Sequence, residues 1–202
     1  MLNQINIAVL VSGGGTNLQA LIDAQNSGII KSGKITLVVS NNKDAYALER
    51  AKKANIETAV LLKKELGSQE LFEDKLIELL KSKNIGLIVL AGFMSILSEK
   101  FTKTFEGRII NVHPSLIPSF CGKGFYGLKV HEEALKYGVK VTGATVHFVN
   151  EIPDGGKIIM QKAVNIEEGE TPEVLQKRVM EQAEWIILPQ STEKICKELL
   201  KV

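Results

Sequence analysis

Only two cysteines and one tryptophan occur in the 202 residues, and Cys121 and Cys196 belong to no CxxC or Cys/His cluster. Neither a disulfide framework nor a structural zinc site is suggested, and Cys121 reads as an incidental thiol in a glycine-rich loop. Charge of one sign is not in excess: 25 Lys and Arg stand against 23 Asp and Glu, a net charge of +2. The broad basic footprint of a nucleic-acid binder is missing, so any anion must be met by a local site. No apolar run approaches membrane-spanning length, and "MLNQINIAVLVSGGG" enters a glycine loop without a basic leader or a small-residue cleavage site. Repeats, low-complexity tracts and linker-like shifts are absent too. What remains is a chain with 45% hydrophobic residues, enough for one sizeable core and expected in the cytoplasm.

The apolar residues present fall into short runs rich in Ile, Val and Leu: 5–11, 34–40, 56–62 and 85–91, each followed by a polar stretch with helical spacing. That alternation predicts βαβ units with buried parallel strands. Helices are expected at 16–27, 44–54 and 68–83, and Leu71, Phe72, Leu76, Leu79 and Leu80 form the apolar stripe of the last. "GRIINVH" is a fifth strand after a short helix that begins near Ser98. "TGATVHFVN" and "GKIIMQKAVNI" flank "EIPDGG" as an antiparallel hairpin would. From Thr171 a long helix is expected, with Thr171 as N-cap, Pro172 at its first position and a kink at Pro189. The fold class is therefore α/β and Rossmann-like: a mostly parallel twisted sheet, helices on both faces and an antiparallel edge hairpin, in one domain over residues 1–202.

"VLVSGGGTNLQAL" sets Gly14, Gly15, Thr16 and Asn17 between the first strand and the first helix, where free N–H groups and the helix dipole favour an anion. A dinucleotide fingerprint is disfavoured, because Leu18 stands where its third glycine belongs and "VVSNNKD" ends the second strand with Asn41 and Asn42. GxxxxGK[ST] is missing as well, so a single phosphate monoester suits the loop better than a nucleoside triphosphate. The plainer reading of three glycines is a tight turn.

In "IINVHPSLIPSF" Asn111 and His113 project from the same strand face, with Cα atoms on the order of 7 Å apart, while Val112 faces the other way. Pro114 stops the strand at its carboxyl end, the rim where open α/β sheets bind ligands. An amide donor beside an imidazole suits a carbonyl turning into an oxyanion, hence acyl transfer. Ser115 sits in no GxSxG elbow, so a covalent nucleophile is not evident. Asp154 in "EIPDGGKII", if folded against His113, would favour imidazolium and raise its pKa. Each residue alone also has an ordinary structural reading, Asp154 as the first residue of a D-G-G turn. His131 is expected as a solvated residue opening the helix "KVHEEALKYG", and His147 as a satisfied histidine of an alternating strand or a partner of the site.

"VLVSGGGTNLQAL", "VLAGFMSIL", "NVHPSLIP", "GATVHFV", "DGG" and "RVMEQAEWIILP" together resemble the glycinamide ribonucleotide formyltransferases, within the folate-dependent formyltransferase group. The resemblance covers almost the whole chain. It implies formyl transfer from 10-formyltetrahydrofolate, as co-substrate and without a metal, to the amine of glycinamide ribonucleotide. By the same resemblance Asn111 and His113 polarise the formyl group, His113 is the acid and Asp154 raises its pKa. Gly14, Gly15, Thr16 and Asn17 would hold the nucleotide phosphate, Glu184 would approach the substrate's polar end, and Gln69, Met94, Ser95, Ile96 and Leu97 would line the folate side with Asn111. The N-terminal half then carries nucleotide binding and the C-terminal half folate binding and catalysis. Small-molecule partners, no nucleic acid, no membrane, and a monomer or weak homodimer are expected.

The chain departs from relatives at Ser95 and Gln69, where Arg occurs, and at Trp185, where His is common; the first two bear on the folate glutamate tail. The loop "SFCGKGFYGLKV" is longer than in some relatives, and its closure over the site is an expectation. Formyl transfer to methionyl-tRNA is disfavoured, because resembling enzymes add a C-terminal RNA-contacting domain and this chain ends at Val202 without a basic patch. A formyltetrahydrofolate hydrolase would share the Asn/His/Asp centre, though its relatives carry an N-terminal regulatory domain and act on water. A non-catalytic nucleotide-binding domain would keep the glycine loop without needing "NVH" and "DGG".

Overall fold

The computed structural model describes residues 4–201. Its strands are β1 (Ile5–Val11), β2 (Gly33–Ser40), β3 (Glu57–Val60), β4 (Leu87–Leu90), β5 (Ile109–His113), β6 (Val141–Phe148) and β7 (Ile158–Asn165). They form one seven-stranded sheet in the order β3-β2-β1-β4-β5-β6-β7. The pairs β1–β2, β2–β3, β1–β4 and β4–β5 are parallel, while β6 runs antiparallel to both β5 and β7.

The helices are α1 (Thr16–Asn26), α2 (Tyr46–Lys53), α3 (Lys63–Leu66), α4 (Gln69–Ser82), α5 (Glu99–Thr104), α6 (Leu128–Tyr137), α7 (Pro172–Val179) and α8 (Trp185–Leu199). Both faces of β1 are apolar because both are covered. Ile7, Val9 and Val11 pack with Leu18 and Leu21 of α1 and Ile187 and Leu188 of α8. Ala8 and Leu10 pack with Phe72, Leu76 and Leu80 of α4 and Phe101 of α5. Leu76 is fully buried there, and truncation to alanine is expected to cost about 2–5 kcal/mol.

Strand order reverses beside β1: β2 and β3 lie to one side, β4 and β5 to the other. The loops leaving the carboxyl ends of β1 and β4 therefore part around a crevice, the place where such sheets take ligands.

Several elements differ from expectation. β3 and β4 have four residues each, shorter than their seven-residue apolar runs, and β3 is a half-exposed edge. The four-residue α3 lacks a periodic signal. The C-terminal helix does begin at Thr171, whose hydroxyl caps Val174 N–H, with Pro172 at the start. Its interruption is a π turn at Met180–Glu184, not a break at Pro189, which α8 carries in its interior. A π turn inserts one residue and rotates the helix beyond it, which changes the face that the end of the segment presents.

Candidate active site

Asn111 and His113 stand at the carboxyl end of β5, and Val112 turns into the core. Across the antiparallel ladder His147 lies opposite Asn111, and Thr145 opposite His113. The third group arrives from the turn after β6, where Asp154 adopts φ +57°. Gly156 lets that turn close, since a Cβ there would overlap the Phe148 carbonyl. The Asp154 carboxylate reaches both rings, with Oδ2 3.5 Å from His113 Nδ1 and Oδ1 3.5 Å from His147 Nε2. Gly122 N–H donates to Oδ2 at 2.8 Å.

Hydrogen-bond chemistry fixes the protons. His113 Nε2 lies 2.8 Å from the Phe120 carbonyl, which only accepts, so Nε2 carries a hydrogen. Nδ1 of the neutral ring then points a lone pair at Asp154, and a proton arriving there meets a carboxylate. By the same logic His147 Nδ1 donates to the Phe148 carbonyl at 2.7 Å, leaving Nε2 to accept from the Asn111 amide at 3.3 Å. Burial dominates His113 and holds its pKa below the ordinary imidazole value; the Asp154 charge and the Phe120 carbonyl push it back up. The expected rise in this pKa is thus reversed, because the ring is 4% exposed. Burial pushes the Asp154 carboxyl up, but the His147 and His113 rings and Gly122 N–H bring it below its usual range.

The segment after Pro114 is pinned to the sheet through Thr145. Its hydroxyl donates to the Ser115 carbonyl at 2.7 Å and accepts from Ile117 N–H and Gln161 Nε2 at 3.1 and 2.9 Å. Gly122 to Gly127 then form one wall of a cavity of about 760 Å³, whose other walls include Asn111, His113, Asp154 and Met94. Cys121 is no activated nucleophile here, since burial and the Asp154 charge push its thiol pKa up.

Asn17 and Glu184 enter the same cavity as a pair, the Asn17 amide donating to Glu184 Oε2 at 2.7 Å. Glu184 ends the π turn at 6% exposure, and burial pushes its pKa up to about 7 against the pull of the Asn17 amide. Gly14 and Thr16 lie exposed, and Gly15 between them is left-handed at φ +73°. Gly15 caps α1 without a side chain, which leaves the first-turn N–H groups open.

Ser95 and the exposed Met94 and Ile96 line the large cavity, and Leu97 joins Ser95, Ile96, Asn111, His147 and Ile152 around an adjoining cavity of about 140 Å³. Gln69 lies behind this loop and outside both walls, donating to Glu73 at 2.7 Å and to the Ile96 carbonyl at 3.2 Å. Ser95 is itself a brace, accepting from Asn41 Nδ2 at 2.9 Å. The cavity lining runs from Asn17 near the start of the chain to Glu184 near its end.

His131 departs furthest from expectation. α6 begins at Leu128, and within it His131 lies on the buried face with Val130 and Ala134, its ring 0% exposed beside the cavity. Neither ring nitrogen has a partner, and burial, aided by His113, pushes its pKa down to about 4.

Residues 5–192 match the family model described as formyl transferase. The chain belongs to the formyl transferase family. It is 46% identical to phosphoribosylglycinamide formyltransferase of Haemophilus influenzae over 91% of this chain and 83% of that protein. The Escherichia coli protein of the same name is 41% identical over 88% and 81%. The crystal structure of glycinamide ribonucleotide transformylase 1 from Symbiobacterium toebii superposes with a TM-score of 0.90 at 39% identity, covering 96% of this chain and 89% of that one. Among the described residues no group of three or more His, Cys, Asp and Glu is placed to hold a metal, and no helix is long and apolar enough to cross a membrane.

Sequence reasoning missed the Phe120 carbonyl, which acts through backbone geometry at φ +48°, and the buried Glu73 that ties Gln69 to Ser98. The first has no side-chain signal. The second sits on the α4 sequence where a solvated charge is the ordinary reading.

Proposed function

We propose that this chain transfers the formyl group of 10-formyltetrahydrofolate to the amine of glycinamide ribonucleotide, a step of de novo purine biosynthesis. The observation that carries the reading is the convergence of Asn111, His113 and Asp154 on one cavity wall in a chain of the formyl transferase family. Transfer is direct, with no covalent enzyme adduct: the amine adds to the formyl carbon to give a tetrahedral adduct carrying an oxyanion, which then collapses as the bond to the folate nitrogen breaks and one proton moves from the amine to that nitrogen.

The residues divide that work. Asn111 spends one amide hydrogen on His147 and offers the other to the formyl oxygen, where a single such donor contributes about 2.7–4 kcal/mol as charge develops. His113 carries the proton, with Nε2 exchanging the Phe120 carbonyl for the reacting atoms and Nδ1 steadied by Asp154. The free N–H groups at Gly14, Gly15, Thr16 and Asn17 receive the ribonucleotide phosphate, and Glu184 meets its polar hydroxyls. Met94, Ser95, Ile96 and Leu97 hold the formyl folate, and the larger cavity is of a size that suits a ligand of that class. The protein works as a single domain in the cytoplasm, as a monomer or weak homodimer.

The test is a steady-state assay following loss of a 10-formyl folate by absorbance, with and without glycinamide ribonucleotide. Turnover that requires the ribonucleotide is expected. Deformylation independent of it would identify a hydrolase, and nucleotide binding without turnover a non-catalytic domain.

A further inference from the structure

The glycine loop is held from behind by a single short segment. Ser12 O accepts from Asn42 Nδ2 at 3.2 Å, Gly13 O from Ala47 N–H at 3.0 Å, and Gly14 O from Arg50 Nε at 2.8 Å. Three consecutive carbonyls are thereby turned away from the site. Among the described residues, none of the N–H groups from Gly14 to Leu18 has a protein acceptor, so these donors are left for a ligand. An anion site built from backbone is only as good as the orientation of its peptides, because a carbonyl swinging forward would put negative charge against the ligand.

Arg50 is the one charged group in this brace. Its Nη1 also donates to Gln19 Oε1 at 3.1 Å on α1, so the guanidinium clamps the loop to the helix whose amino end faces the anion. Tyr46 lies beneath it, 5.1 Å from ring centre to Cζ, which fixes the side chain's direction. The spacing is tight: a Cβ on Gly15 would come 2.6 Å from Ala47 Cβ, so loop and α2 are in contact without slack.

We propose that Arg50 is a positioning residue for phosphate recognition: it sets the peptide planes of the glycine loop and adds positive charge behind them, without touching the reacting atoms. The assignment rests on the reading that this loop receives the ribonucleotide phosphate.

The full-length chain, Arg50→Met and Arg50→Lys are compared for kcat, for KM of each substrate, and for binding of inorganic phosphate by direct titration. Thermal unfolding checks that each variant is folded. In Arg50→Met, loss of a charge-assisted hydrogen bond raises KM for the ribonucleotide and Kd for phosphate together, roughly tenfold or more, while kcat and KM for formyl folate stay within about twofold. Arg50→Lys, which keeps the charge but not the fork, falls in between. Unchanged ribonucleotide KM and phosphate Kd in Arg50→Met would overturn the assignment, and so would an equal loss in both substrates and kcat. If the wild type shows no ribonucleotide-dependent transfer, the transferase reading fails separately. Phosphate titration alone then decides: weaker binding in Arg50→Met than in the wild type upholds the role of Arg50, and equal binding or none in either rejects it.

Discussion

Asn111 and His147 face each other across the β5–β6 ladder, and the amide donates to His147 Nε2 at 3.3 Å. The interaction fixes which end of the amide is nitrogen, because His147 Nδ1 is committed to the Phe148 carbonyl. His147 is therefore a positioning residue for Asn111. In His147→Leu the amide is free to rotate, and kcat is expected to fall roughly tenfold to a hundredfold with KM for either substrate little changed, a part of the 10²–10³ that a lost oxyanion donor costs. Steady-state kinetics with both substrates varied check this, and a change confined to KM would count against it.

Glu184 gives a pH dependence with a definite sign. Its folded pKa of about 7 stands above the ordinary value of 4.5, so the buried neutral form stabilises the fold fully below about pH 4.5. That contribution is lost as pH rises through 7, and the shift corresponds to about 3 kcal/mol. Glu184→Gln removes the titration. Its unfolding free energy relative to wild type is expected to improve between pH 5 and about 8 by roughly that amount, measured by denaturant unfolding at each pH. Parallel pH profiles for the two proteins would contradict the assignment.

His131 predicts the opposite trend. Its folded pKa of about 4 lies below the ordinary 6.5, so its contribution is present above about pH 6.5 and lost as pH falls toward 4. Buried with both nitrogens unpaired, it takes up a proton on unfolding in acid. His131→Phe, which keeps an aromatic ring and cannot titrate, is expected to lose less stability than wild type between pH 6.5 and 4. Acid titrations followed by circular dichroism read the difference directly, and coincident curves would remove His131 from the acid response.

The buried Glu73 accepts from Gln69 Nε2, from Ser98 N–H and from the Ser98 hydroxyl, and so anchors the end of the loop that carries Met94 to Leu97. Glu73→Ala leaves those donors unmet at a cost of about 1–3 kcal/mol and is expected to raise KM for formyl folate more than KM for the ribonucleotide. Equal effects on the two constants would show a general loss of stability instead.

Much of this is legible in residue order. The short Ile, Val and Leu runs mark the parallel strands, Pro114 marks the end of β5, and "NVH" puts two side chains on one face, all of which depend on near neighbours. β4 cannot be bounded that way, because its ends are set by pairing with β1 and β5 rather than by its own residues. The protonation of His113 escapes residue order for a similar reason: the Asp154 charge is visible in sequence, while desolvation is a property of everything packed around the ring. For His131 the difference is the helix face on which it falls: it shares the buried side of α6 with Val130 and Ala134, which puts the ring at the cavity wall rather than in solvent.

In the proposed reaction Asn111, His113 and Asp154 together pass a formyl group to an amine. The most direct measurement follows an isotopically labelled formyl carbon by NMR, from 10-formyltetrahydrofolate in the presence of glycinamide ribonucleotide, in wild type and His113→Ala. The label is predicted to arrive in the formamide of the ribonucleotide in wild type, and transfer to slow by roughly 10²–10⁴ in the variant while both substrates still bind. Label released as formate by the wild type, or transfer undiminished in His113→Ala, would contradict the claim.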